Sequence, residues 1–185
     1  MLIRELEYLS KKLNISHISE VTGEILETIA FTYSIGKNIV SVLEIGTGVG
    51  YSTSWILKGI IESGAVPFIK TIEWDPKKVE ISKRVFEKYD LASFISFEIG
   101  DARKIITRID FPLDIIFMDA SVPDYHYFVS RLKPLLKTRG ILMAHNVLAF
   151  RKHLNNFLTE IYGDDWRTLI LECDPEGISI SIKIK

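Results

Sequence analysis

Residues 44–50, Glu-Ile-Gly-Thr-Gly-Val-Gly, follow the apolar run Val40-Ser41-Val42-Leu43 and carry the clearest chemical signal in the chain. Glycine at every second position (Gly46, Gly48, Gly50) lets backbone N–H groups approach a ligand that side chains would exclude. The segment from Tyr51 to Leu57 restarts the chain as a helix whose N-terminus points at the same place. Strand, glycine loop and helix form the opening unit of a nucleotide-type binding fold. Dinucleotide sites favour G-x-G-x-x-G, whereas the spacing here is G-x-G-x-G behind the acidic Glu44. A carboxylate there suits a ligand with a cationic amine better than one with a pyrophosphate. A second apolar run, Phe68 to Ile72, ends in Glu73, which can accept both hydroxyl protons of a ribose. NAD sites use the same device, so Glu73 alone does not separate the cofactors. A tight strand–helix turn without a ligand is the bland alternative for the loop.

These groups need strands that end at one edge, and the rest of the chain supplies them. Leu2, Leu6, Leu9 and Leu13, then Ile25, Leu26, Ile29 and Tyr33, follow helical spacing. They predict two leading helices within residues 1–36 that cover the sheet or an acceptor pocket. Strands and helices then alternate: strands at 40–45, 68–73, 94–99, 113–118 and 140–144, helices at 51–62, from Asp75-Pro76, at 124–137 and at 149–161. Asp75 is a good N-cap and Pro76 a good first-turn residue. The segments 166–172 and 178–184 read as strands, and only Cys173-Asp174-Pro175-Glu176-Gly177 joins them. A parallel return needs a dozen or more residues, so they must form an antiparallel hairpin. The expected architecture is α/β: a Rossmann-like, seven-stranded, mostly parallel sheet with a C-terminal antiparallel hairpin and helices on both faces.

With 185 residues and 47% hydrophobic content, the chain is long enough for one compact domain that buries roughly 70% of its unfolded surface. A net charge of −1 gives no global signature for nucleic acid or an anionic membrane. The lone Cys173 rules out an intramolecular disulfide and agrees with a reducing cytoplasm. No run approaches the ~18–20 apolar residues of a membrane span, and the residues after Met1 lack a signal-peptide layout.

Five blocks carry a family likeness: Val42 to Ser52, Thr71-Ile-Glu-Trp-Asp-Pro76, Gly100-Asp-Ala102, Ile115-Ile-Phe-Met-Asp-Ala120 and Arg139-Gly-Ile-Leu-Met-Ala-His-Asn-Val-Leu148. Through them the chain, from about Glu20 onward, resembles the class I S-adenosylmethionine-dependent methyltransferases. The last block makes it similar to the metal-dependent O-methyltransferases of the catechol and caffeoyl-CoA type. The resemblance implies that Gly46, Thr47, Gly48 and Gly50 approach the methionine part of S-adenosylmethionine and that Ser52 binds its carboxylate. It places Glu73 on the ribose, Trp74 against the adenine, and Asp101 and Ala102 at the adenine edge. Trp74 as ordinary core and Asp101 as a mere helix cap are the alternatives. Asp119 would meet both the cofactor's amine and a divalent metal, with His145 and Asn146 as the other metal ligands.

Two positions depart from the family. Its second metal-binding aspartate is His145 here, and its lysine three residues after the strand-4 aspartate is Val122. A set of one carboxylate, one imidazole and one amide disfavours Mg²⁺ and suits Mn²⁺, Fe²⁺ or Zn²⁺, or no metal. His145 is then the candidate general base, since an imidazole suits proton abstraction near neutrality, with a structural role as its alternative. The leading expectation is a methyltransferase acting on a small-molecule acceptor, an O-methyltransferase in particular, with the homodimer common among relatives. An RNA-modifying methyltransferase and a non-catalytic S-adenosylmethionine-binding protein are the competing readings.

Overall fold

A computed structural model describes residues 1–185. Seven strands form one sheet: β1 (Ile39–Ile45), β2 (Val66–Glu73), β3 (Ile95–Ile99), β4 (Leu113–Met118), β5 (Leu136–His145), β6 (Trp166–Leu171) and β7 (Ile178–Lys183). Their order is β3-β2-β1-β4-β5-β7-β6. The first five are parallel, and β7 lies antiparallel between β5 and β6. The architecture is the one expected, hairpin included. The strand order reverses between β1 and β4, which opens a crevice beyond their C-terminal ends, where open α/β sheets bind ligands.

Alternation along β1 feeds two cores. Val40 and Val42 join one apolar cluster with α1 (Leu2–Lys12), α2 (Glu20–Ser34), α3 (Tyr51–Glu62) and α4 (Pro76–Lys88). Leu43 and Ile45 join the other, with α5 (Ala102–Ile105), α6 (Tyr125–Leu132) and α7 (Asn155–Ile161). Side chains of successive strand residues point to opposite faces, so a run apolar throughout must be covered twice. The leading helices are held tightly. A Cβ added at Gly59 of α3 would lie 2.3 Å from the Glu27 carbonyl of α2, so the two backbones touch there. No helix is long and apolar enough to cross a membrane.

Three boundaries differ from the sequence reading. Strand β5 begins at Leu136 rather than Gly140, because Leu136 pairs with Leu113 before the register shifts to Ile115 opposite Ile141. Arg139, at φ +67, lies in the irregular stretch, and α6 accordingly stops at Leu132. The expected helix at 149–161 is a short 3-10 turn at Arg151–His153, with α7 only from Asn155.

At the opposite end from the crevice, Asp114 of β4 is 2% exposed. It accepts hydrogen bonds from the Ser41 amide (3.0 Å) and hydroxyl (2.9 Å), the Tyr33 hydroxyl (2.9 Å) and Lys137 Nζ (2.7 Å). Burial alone would raise its pKa, but the Lys137 ammonium and the Ser41 and Tyr33 donors together hold it below the ordinary value. A depressed folded-state pKa stabilises the protein above the unfolded value, about 3.9, and that gain disappears as pH falls through the folded value. Asp114→Asn should therefore cost about 1–3 kcal/mol at pH 7, the range for a broken buried hydrogen-bond set. In urea denaturation its deficit against the parent should shrink below pH ~4.

Candidate functional site

Two cavities, of about 490 Å³ and 380 Å³, open at the crevice and share a boundary of Gly46, Glu73, Lys78, Asp119 and Ala120. The smaller is also lined by Trp74, Asp101 and Ala102, and the larger by Thr47, Gly48, Ser52 and Asn146. Residues 14–18, the connection between α1 and α2, form one wall of the larger cavity.

The glycines differ in what they do. At Gly46 (φ +100) a Cβ would sit 2.1 Å from the Asp119 carbonyl, so glycine here lets the loop lie against the end of β4. At Gly48 (φ +54) the nearest atom to an added Cβ is Ile15 Cγ2 at 3.8 Å, so the backbone faces open cavity. Gly50 borders neither cavity. An added Cβ would meet Phe86 and Ser82 at 2.6 Å, so glycine here lets α3 pack against α4.

Glu44 lies beneath the loop. It is fully buried and borders neither cavity. Ser52 donates to its Oε1 at 2.7 Å, and Thr53 and Thr71 donate to its Oε2 at 2.5 and 2.6 Å. Thr47 in turn meets Thr71 at 2.5 Å. Glu44 thus braces the glycine loop and the start of α3 from beneath, and no direct contact with a ligand's amine follows from its placement. Burial pushes its carboxyl up to about 7 against the pull of the three hydroxyls, and the nearby Asp119 charge adds to the rise.

Glu73 sits at the junction of the cavities. Its Oε2 accepts the Gly48 N–H at 2.8 Å, and its Oε1 accepts the Trp74 and Asp75 N–H groups at 3.0 Å. These bonds point the carboxylate at the loop and leave Oε2 the freer oxygen for a ligand hydroxyl. Trp74 is 79% exposed, so it is not core. Asp101 caps α5 through the Arg103 amide at 2.9 Å while still lining the smaller cavity.

His145 is buried beside the larger cavity's Asp119 and Asn146. It is 4% exposed and lines neither cavity. Its Nδ1 lies 3.3 Å from Asp119 Oδ1 and its Nε2 lies 3.4 Å from Asp174 Oδ2. Burial pulls its pKa down, but the Asp119 carboxylate, aided by Asp174, outweighs this and holds it above the ordinary imidazole value. A ring buried between two carboxylates is poorly placed to take a proton from a ligand in the cavity. Asn146 Nδ2 donates to the same Asp119 Oδ1 at 2.7 Å. Asp119, His145 and Asn146 therefore do converge, but as two nitrogens gathered on one oxygen. That set, with a single carboxylate, does not fit a hard divalent ion.

Asp174 was not singled out in the sequence, nor were Lys78 and residues 14–18. Asp174 Oδ2 also accepts the Ser19 and Thr22 hydroxyls at 2.8 and 2.5 Å, and Oδ1 accepts the Gly177 amide at 2.7 Å. The hairpin reading contained the missing signal. Because β7 runs antiparallel beside β5, with Ile178 opposite His145, the turn that starts β7 must arrive where β5 ends.

A family model described as O-methyltransferase matches residues 2–157. Over 124 residues the chain is 29% identical to a catechol O-methyltransferase of Niastella koreensis, covering 65% of this chain and 55% of that protein. The chain spans about half the length of the curated relatives it matches. Among solved structures, an O-methyltransferase from Bacillus cereus in complex with S-adenosylhomocysteine superposes with a TM-score of 0.84 at 19% identity, covering 98% of this chain and 90% of that one. An O-methyltransferase from Streptomyces achromogenes in complex with S-adenosylmethionine gives 0.85 at 17% identity, covering 100% and 90%. At these identities the likeness is one of fold.

The buried Glu44 has a measurable consequence. Its folded-state pKa of about 7 exceeds the unfolded value of about 4.3, so between them the folded chain keeps a proton that the unfolded chain has lost. Stability should fall as pH rises through that interval and level off above it. On the order of 2–3 kcal/mol should be lost between pH 5 and 8 in the parent but not in Glu44→Gln, as read from paired urea denaturation curves.

Proposed function

This chain belongs to the O-methyltransferase family, and from that premise we propose that it transfers a methyl group from S-adenosylmethionine to an oxygen of a small molecule. Residues 1–185 would act as one methyltransferase domain, and the lone Cys173 supports a cytoplasmic setting. The observation that carries the reading is the pair of cavities meeting at Glu73 and Asp119 over the glycine loop. It suits a cofactor with a nucleoside at one end and an amino acid at the other.

In this reading Glu73 accepts a ribose hydroxyl, Trp74 covers the adenine, and Asp101 and Ala102 meet its edge. The open backbone at Gly48, with Gly46, Thr47 and Ser52, receives the amino-acid end. The cofactor supplies a methyl carbon already activated by a sulfonium. The protein's part is to align the acceptor oxygen behind that carbon and to exclude water. The C–S bond breaks as the C–O bond forms, and the hydroxyl proton needs a base. Asp119 is the carboxylate for that role, because it lines both cavities and the Asn146 and His145 nitrogens both fall on its Oδ1. The wall at residues 14–18 carries Asn14, Ser16 and His17, so the acceptor side is polar, as a small hydroxylated molecule requires. A net charge of −1 argues against an RNA acceptor, whose phosphates need a basic surface.

S-adenosylmethionine and S-adenosylhomocysteine should raise the melting temperature, while NAD and ATP leave it unchanged. Glu73→Ala should weaken S-adenosylhomocysteine binding by about 1.5–3 kcal/mol in calorimetry, the range for hydrogen bonds to a charged group. Tight NAD binding without S-adenosylhomocysteine binding would overturn the assignment. Cofactor binding without turnover on a broad panel of hydroxylated acceptors would favour the non-catalytic reading.

Metal dependence is a separate test. The hydrogen-bonded set around Asp119 predicts that methyl transfer survives removal of Mg²⁺ by a chelator and is not raised by adding it back. A radiolabelled-methyl assay that falls to background on chelation and recovers with Mg²⁺ would contradict this.

A further inference from the structure

The face of His145 turned away from the cavities meets a different group of side chains. His145, Asp174 and Glu176 each offer one ligand atom, and these atoms lie within 4.8 Å of one another. The carrier of the arrangement is the imidazole, whose side chain is 5% exposed and whose orientation is set from both sides. When Nδ1–H donates to Asp119 Oδ1, at 3.3 Å, the lone pair of Nε2 is directed at Asp174. Metal-binding histidines are held in this way, with the other ring nitrogen donating to an outer carboxylate that fixes the tautomer.

Asp174 is oriented just as firmly. The Ser19 and Thr22 hydroxyls and the Gly177 amide all donate to it, and its side chain is only 7% exposed. Glu176 follows two residues later in the same turn, with its carbonyl held by the Leu148 amide at 2.8 Å. Charge separates the two sides of the ring. Toward the cavity there is one carboxylate, Asp119; toward the hairpin there are two, Asp174 and Glu176. Distance points the same way. Tetrahedral ligands bound at about 2.0–2.1 Å lie about 3.4 Å apart, and His145 Nε2 is 3.4 Å from Asp174 Oδ2.

We propose that His145, Asp174 and Glu176 form a site for a transition-metal dication of the zinc type, with Asp119 as the outer partner of the imidazole. One nitrogen and two carboxylates make a donor set for Zn²⁺, Mn²⁺ or Fe²⁺ rather than Mg²⁺. The ion lies behind the ring, so it touches neither acceptor nor cofactor. Its part is to join the end of β5, the hairpin turn and, through Ser19 and Thr22, the start of α2. The site does not rest on the methyl-transfer reading, which S-adenosylhomocysteine binding tests separately in the same samples.

The experiment uses the full chain, stripped with a chelator and titrated with Zn²⁺ in a calorimeter, with Co²⁺ absorption as a second readout of coordination geometry. One Zn²⁺ should bind per chain and raise the melting temperature. Glu176→Gln keeps the size and shape of the half-buried side chain and should weaken binding at least about tenfold while melting like the metal-free parent. Asp119→Asn should weaken it by about 10- to 100-fold through the imidazole. Asn146→Ala should leave Zn²⁺ affinity unchanged, because the amide lies on the other side of the ring. No binding at micromolar Zn²⁺, or full affinity in Glu176→Gln, overturns the proposal. So does binding that depends on Asn146, which would place the ion on the cavity side.

Discussion

At Gly46 the chain leaving β1 passes so near the end of β4 that an added methyl would lie 2.1 Å from the Asp119 carbonyl. The Gly46 amide is bonded sideways to Ile72 and the Asp119 amide to Ile45, both at 2.9 Å, so three strand ends are locked at one level. Everything at the crevice inherits its position from this contact. Glu73, one residue beyond Ile72, and Asp119 face each other across the loop because the strands that carry them cannot slide.

Beneath the loop the same edge is fastened by polar groups rather than by apolar packing. Buried hydroxyls are costly unless paired, and here Ser52, Thr53 and Thr71 all find the single carboxylate of Glu44. This explains a double character of the Glu44-to-Ser52 segment. Its upper surface, at Gly48, is bare backbone that can receive a ligand. Its lower surface is a closed hydrogen-bond set that gives the bare backbone a fixed shape. A loop of glycines alone would have neither the rigidity nor the direction.

Much of this was readable from residue order. The strands around the crevice and the hairpin follow from apolar runs, glycine spacing and the length of a turn, whereas Trp74, Asp101 and Ala102, which line the smaller cavity, came only with the family resemblance. What the sequence left unread has one physical cause. Sequence spacing shows that Glu44 and His145 lie at strand ends but not whether their side chains point up to the cavity or into the packed interior. That depends on which neighbours offer donors: three hydroxyls for Glu44, two carboxylates for His145. The packing of Gly50 against Phe86 and Ser82 is not legible in sequence, because a glycine needed for helix packing looks the same there as one needed for a ligand. Asp174 was missed because its partners Ser19, Thr22 and His145 are remote in sequence and no local pattern joins them.

The insertion of β7 between β5 and β6 also bears on how the molecule assembles. The β6–β7 pair is a local contact with a short turn, whereas β7 meets β5 only across a long stretch of chain. Local pairings close at a small entropic cost and distant ones at a larger cost, so the hairpin can form first and dock as a preformed unit. Asp174 and Glu176 ride on that unit. A chain that has built the parallel strands but not yet docked the hairpin would leave His145 open to water on one side. The desolvation of that ring would thus wait on the docking of the hairpin.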